Sequence, residues 1–152
     1  MRILVVEDNK KHMQDAVAAA KEFDIELVTA TTVEEASRML RPSDILPAVD
    51  GVVTDLFMPF TSRPPYNADD QPCGLSVVLK AQKAGIPVII CTAGSHHGIK
   101  YQWVCDLGRS LGWPEMADSS FDNYKDAETK NWQGAFKKLL GIITGEKESD
   151  EE

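Results

Sequence analysis

The residues able to do chemistry sit where apolar runs end. The run at residues 3–6 gives way to Glu7 and Asp8, residues 51–54 lead into Asp55, and Pro87 to Cys91 leads into Thr92. Lys125 stands shortly before the last helical pattern. If these runs are parallel strands, their carboxyl ends converge on one edge of a sheet, where open α/β folds bind ligands. Each residue also has a plainer reading. Glu7 and Asp8 suit the start of a helix through its dipole, and Asp55 suits a turn. Thr92 and Lys125 say little alone. Together, three acids at one point repel unless a cation offsets them, and hard oxygen ligands with open positions suit magnesium.

The elements that must position them alternate, which predicts a parallel sheet with helices on both faces. Strands are expected at 3–6, 25–30, 51–54 and 87–91. A fifth, weakly apolar, is expected around 117–124. Helices are expected at 10–23, from 31 or 32 to before Pro42, and at 74–84, 99–111 and 129–143. Met13, Ala16, Val17, Ala20 and Phe23 recur at helical spacing. So do Ile99, Trp103, Val104, Leu107 and Leu111, which are expected to face the core, and Trp132, Ala135, Phe136, Leu139, Leu140 and Ile143. Thr31 or Thr32 with Glu34 or Glu35 three residues on forms a capping box. Pro59, Pro64, Pro65 and Pro72 mark a long irregular loop over 59–73.

Size and composition bound the function. The 152 residues, 43% hydrophobic and 26% charged, suit one globular domain with a real core. The expected organisation is a domain over 1–143 and a disordered acidic tail over 144–152, whose last seven residues carry −4 of the net −8. The acidic balance argues against nucleic acid, which needs a basic face, and against an anionic membrane. No apolar run is long enough to span a bilayer, the N-terminus does not read as a signal peptide, and Cys73, Cys91 and Cys105 are odd in number and widely spaced. A cytoplasmic protein with reduced thiols is expected.

The segment Ile3-Leu4-Val5-Val6-Glu7-Asp8-Asn9 resembles the opening of a response-regulator receiver domain. So does Val52-Val53-Thr54-Asp55-Leu56-Phe57-Met58-Pro59, with an acceptor aspartate and a Met-Pro three residues on. Gly74-Leu75 is similar to the start of that family's third helix, and Pro87-Val88-Ile89-Ile90-Cys91-Thr92-Ala93 to its fourth strand and switch Thr-Ala. The resemblance covers nearly the whole chain. It implies a flavodoxin-like, doubly wound five-stranded parallel sheet. It also implies a phosphoaccepting receiver of a two-component phosphorelay, not an enzyme beyond its own aspartyl phosphorylation and dephosphorylation. Asp55 is the implied nucleophile. Asp8, Asp55 and the Phe57 carbonyl are the implied Mg²⁺ ligands, with Glu7 helping through water. Lys125 and Thr92 are implied to bind phosphoryl oxygens. Implied partners are a histidine kinase or phosphotransfer protein and an unidentified downstream protein, met at the face of the fourth helix, fifth strand and fifth helix. The chain itself is expected to be a monomer or a phosphorylation-dependent homodimer.

The sequence departs from the family in three places. The loop at 59–73 is long, and suggests a lid or a partner-selecting element beside Asp55. Asp126 follows Lys125 where the family has proline, so Lys100 and Lys130 stay open as the phosphate partner. His96-His97, with Cys91 and Cys105, permits a soft-metal site but matches no standard zinc spacing. The alternative function is a pseudo-receiver, a phosphorylation-independent binding module. A Mg²⁺-dependent hydrolase would want Asp-x-Asp at one of these strands, and no glycine-rich phosphate loop is present.

Overall fold

The computed structural model describes residues 1–41, 48–63, 71–92, 102–111, 117–118 and 129–145. In chain order the elements are β1 (Arg2–Val6), α1 (Lys10–Ala20), β2 (Glu26–Ala30), α2 (Val33–Met39), β3 (Gly51–Thr54), α3 (Gly74–Lys83), β4 (Val88–Thr92), α4 (Gln102–Ser110), β5 (Ala117–Asp118) and α5 (Trp132–Thr144). The strands form one parallel sheet in the order β2-β1-β3-β4-β5. This is the expected doubly wound arrangement. The order reverses between β1 and β3, which opens a crevice at their carboxyl ends.

Alternation along the central strands builds two cores, because successive side chains point to opposite faces. Leu4, Val6, Val52, Val88 and Ile90 pack with α2 and α3 residues such as Val33, Ala36, Val77 and Ala81. Ile3, Val5, Val53, Ile89 and Cys91 pack with Ala16 and Ala20 of α1 and with Trp132, Ala135, Phe136 and Leu139 of α5. Strands buried on both faces read as unbroken apolar runs, as these do.

Local signals set the helix ends. Asn9 caps α1, its side chain accepting from the Lys11 and His12 amides. Thr32 caps α2 by accepting from the Glu35 amide, and the Glu35 carboxylate reaches back to the amide of Thr31, one residue before the cap, a variant of the expected capping box. Gly145 closes α5 in the left-handed conformation.

Several boundaries and faces differ from expectation. Helix α1 stops at Ala20 and leaves Phe23 in a following turn, and Val17 is exposed. Trp103 and Leu107 on α4, and Leu111 just after it, are 49%, 38% and 53% exposed instead of facing the core. Periodicity identifies residues that share a face but does not show that anything covers it. Ile99 and the expected extension of β5 beyond 118 lie outside the described residues. No helix of the described residues is long and apolar enough to cross a membrane.

Candidate phosphoryl and metal site

The site is assembled by continuing the β ladders past the strand ends. The Glu7 amide donates to the Ala30 carbonyl at 3.0 Å, which fixes Glu7 at the tip of β1. The Asp55 amide donates to the Val6 carbonyl at 2.9 Å, fixing Asp55 beside it. Glu7, Asp8 and Asp55 thereby bring one carboxylate oxygen each within 4.8 Å of one another, a group that could hold a metal ion. Glu7 and Asp55 are buried and Asp8 is exposed, so the group has a wet side by which a cation could enter.

Behind Asp55 the backbone is locked. The Leu56 amide donates to Asp55 Oδ1 at 2.7 Å, and the Gly74 amide donates to the Leu56 carbonyl at 3.0 Å. Gly74 opens α3 directly against this turn, where any β-carbon would collide with the Asp55 carbonyl. Phe57 follows at the same edge, with its side chain partly buried against the α2–α3 core. Thr92 is buried at the carboxyl end of β4.

Lys130 completes the constellation. Its side chain is 1% exposed, and its Nζ bridges Glu7 Oε2 and, at 3.0 Å, Asp55 Oδ2. Burial works to lower the lysine pKa, but Asp55 and then Glu7 outweigh it and hold the pKa above the usual range. The Glu7 carboxyl is pushed up, first by burial and then by the Asp55 charge, against the opposing pull of Lys130. Two buried carboxylates thus share one ammonium, and Asp8 adds a third negative group. The balance fits a divalent cation of the oxygen-preferring kind.

Lys130 is one of the three lysines that the sequence left open. The sequence favoured Lys125, which lies with Lys100 outside the described residues. The signal for Lys130 is its place one residue before the helix-capping Asn131 and two before Trp132, the first buried side chain of α5. Sequence reasoning missed His12, whose Nδ1 stands 3.9 Å from Glu7 Oε2. His12 lies in the first turn of α1, five residues after Glu7, which precedes the helix, so no helical spacing pointed to the pair. His96 and His97 lie outside the described residues.

The loop at 59–73 begins on α2. Its Pro59 and Phe60 carbonyls accept from the Val33 and Glu34 amides, and the Thr61 hydroxyl donates to Glu34. Residues 64–70, the centre of the expected lid, lie outside the described residues.

No family model matches the chain, and neither does any curated protein. Solved structures do. The receiver domain of the Francisella response regulator 1452 superposes with a TM-score of 0.63 at 20% identity, over 96% of this chain and 98% of that one. The non-phosphorylated HemR receiver domain from Leptospira biflexa gives 0.59 at 22%, over 94% of each. A de novo designed Rossmann 2x3 protein also gives 0.59, at 12% identity over 93% and 90%. Architecture alone therefore does not specify the carboxylates and the lysine. With its strand order and these neighbours, the chain has the fold of response-regulator receiver domains.

Proposed function

We propose that the chain is a phosphoaccepting receiver that takes a phosphoryl group on Asp55 with the help of Mg²⁺. The observation that carries this reading is Lys130, buried and bridging Asp55 to Glu7 beside the exposed Asp8. A structural ion pair needs one acid. Three acids and an ammonium at a strand-end crevice suit the transfer of a group that is itself anionic.

Asp55 supplies the nucleophile. One carboxylate oxygen attacks phosphorus in line, the bond from phosphorus to the donor's leaving atom breaks, and an acyl phosphate forms. The Leu56 amide and Lys130 hold the carboxylate in a single orientation beforehand, which removes orientational freedom from the reaction. Glu7, Asp8, Asp55 and the Phe57 carbonyl would hold Mg²⁺, whose bound charge offsets that of the phosphoryl oxygens. Lys130 turns from the carboxylates toward a phosphoryl oxygen, and Thr92 donates its hydroxyl to another. This ties the end of β4 to the phosphoryl group and biases a protein-binding surface. The chain is then not an enzyme with a separate substrate. Its donors are a histidine kinase or phosphotransfer protein, and its output is contact with a downstream protein.

The test is incubation with acetyl phosphate and Mg²⁺, read by intact mass beside Asp55→Asn. One phosphoryl group gained by the wild type only is the expected result. No gain, with no Mg²⁺-dependent fluorescence change on adding beryllofluoride, would reject phosphoacceptance in favour of a pseudo-receiver that binds its partners unphosphorylated.

A further inference from the structure

Lys130 reaches the acids from a stretch of backbone with no proline beside it: Thr129 precedes it and Asn131 follows. A lysine side chain is long and flexible, and holding its ammonium at one place costs rotamer entropy. Something must fix both the chain from which it springs and the ammonium itself.

We propose that Asn131 and Trp132 are positioning residues that hold the Lys130 ammonium at Asp55. Asn131 acts on the backbone. Its φ of −82° and ψ of 70° make an inverse γ-turn, with the Trp132 amide donating back to the Lys130 carbonyl at 3.0 Å. The Asn131 side chain accepts from the Gly134 amide at 2.9 Å, so the residue that shapes the turn also anchors it to the first turn of α5. Gly134 makes the room. A β-carbon there would fall 2.5 Å from Asn131 Nδ2 and 2.9 Å from Oδ1.

Trp132 acts on the ammonium. Lys130 Nζ lies over its ring, 5.6 Å from the centroid, within cation–π range. The ring is itself anchored. It is buried against Phe136, which in turn meets Phe23 beyond α1. The indole Nε1 is buried with no hydrogen-bond partner among the described residues. What Trp132 contributes is therefore its face and not its N–H. The ammonium has three donors, so Glu7 and Asp55 can each take one while the ring face meets the remaining positive charge.

The purpose of this arrangement rests on the phosphoryl-transfer reading, but its geometry does not, so two readouts separate them. The first is the rate of phosphoryl uptake from acetyl phosphate with Mg²⁺. The second is the rate at which acetic anhydride modifies Lys130, read by peptide mass spectrometry with neither metal nor donor present. Trp132→Phe keeps a ring face and should leave Lys130 protected. Trp132→Leu should raise Lys130 modification and slow phosphoryl uptake by roughly 2- to 30-fold, the span of a cation–π contact. Asn131→Ala should move both readouts the same way, and Asn131→Ser, which restores a capping oxygen, should reverse the change. Leu and Phe variants equal in Lys130 modification, with Ala and Ser variants also equal, would overturn the proposal even if both lose stability. Should Trp132→Leu fail to fold by circular dichroism, the exposed Asn131 pair decides alone. If the wild type takes no phosphoryl group while Lys130 protection follows ring and cap, the positioning stands and phosphoacceptance falls.

Discussion

A β-carbon on Gly74 would lie 1.9 Å from the Asp55 backbone oxygen and 3.0 Å from the Leu56 α-carbon. The first residue of α3 is thus pressed against the backbone that carries the acceptor acid. Both sides of the contact are main chain, so no rotamer change can relieve it. Gly74→Ala is expected to destabilise the protein by about 3 kcal/mol or more, the upper range for overpacking, as read by urea unfolding. It should also slow phosphoryl uptake by displacing Asp55. Gly145, also a helix-end glycine, has open space around its α-carbon, and Asn, which tolerates the left-handed conformation, should cost about 1 kcal/mol or less there.

Lys130→Met should be costly, and the cost should depend on pH. Removing the ammonium leaves Glu7 and Asp55 buried without their cation, for which roughly 3–5 kcal/mol is expected near neutral pH. The Glu7 carboxyl is already pushed up in the folded state by burial and by Asp55, and loss of Lys130 pushes it further. A raised carboxyl binds its proton more readily folded than unfolded. Its contribution is therefore fully present below the unfolded value near 4.5 and is lost as pH rises through the folded value. Melting curves from pH 5 to 8 should show the variant losing more stability than the wild type as pH increases. Parallel curves would mean that Lys130 does not offset the Glu7 charge.

The two cores and both buried acids were legible in the sequence because they follow from short-range rules. Continuous apolar runs at residues 3–6 and 51–54 end in acids, and a parallel sheet places those ends together. The lysine was not legible in the same way. Seven residues before Trp132, Lys125 satisfies a family spacing, whereas Lys130 is picked out only by the inverse γ-turn at Asn131 and by the ring of Trp132. Neither leaves a periodic trace. The α4 face failed for a related reason. Trp103, Leu107 and Leu111 are correctly spaced to share a face, but exposure depends on what packs over it.

Mg²⁺ should stabilise the wild type, and Asp8 should be needed for the effect. A ligand that binds only the native state stabilises it by about 2.7 kcal/mol at a hundredfold excess over Kd. The three carboxylates within 4.8 Å supply the donors. Asp8 is exposed and is one of three mutually repelling charges, so Asp8→Asn should hold or raise the metal-free melting temperature while abolishing the Mg²⁺-dependent rise. A rise of equal size in the variant would place the cation elsewhere.

Cys91 should be chemically silent in the folded protein although it lies on β4 next to Thr92. Burial pushes its thiol up to about 12, with Asp55 and Glu7 adding to the shift and Lys130 opposing it. The thiolate is the reactive species, so iodoacetamide at pH 8 should modify the half-buried Cys73 before Cys91, which it should reach only at the rate of unfolding. The same shift predicts a pH dependence. From about 9, where the unfolded thiol ionises, to about 12, the native state keeps a proton that the unfolded state has lost. Stability must fall with rising pH across that window, by roughly 1 kcal/mol per unit from this group. Other groups titrate there too, so the measurement is the difference between wild type and Cys91→Ala in urea at pH 8, 9 and 10. A gap that narrows as pH rises assigns the slope to the buried thiol. A constant gap would show that the Cys91 environment does not hold the proton on.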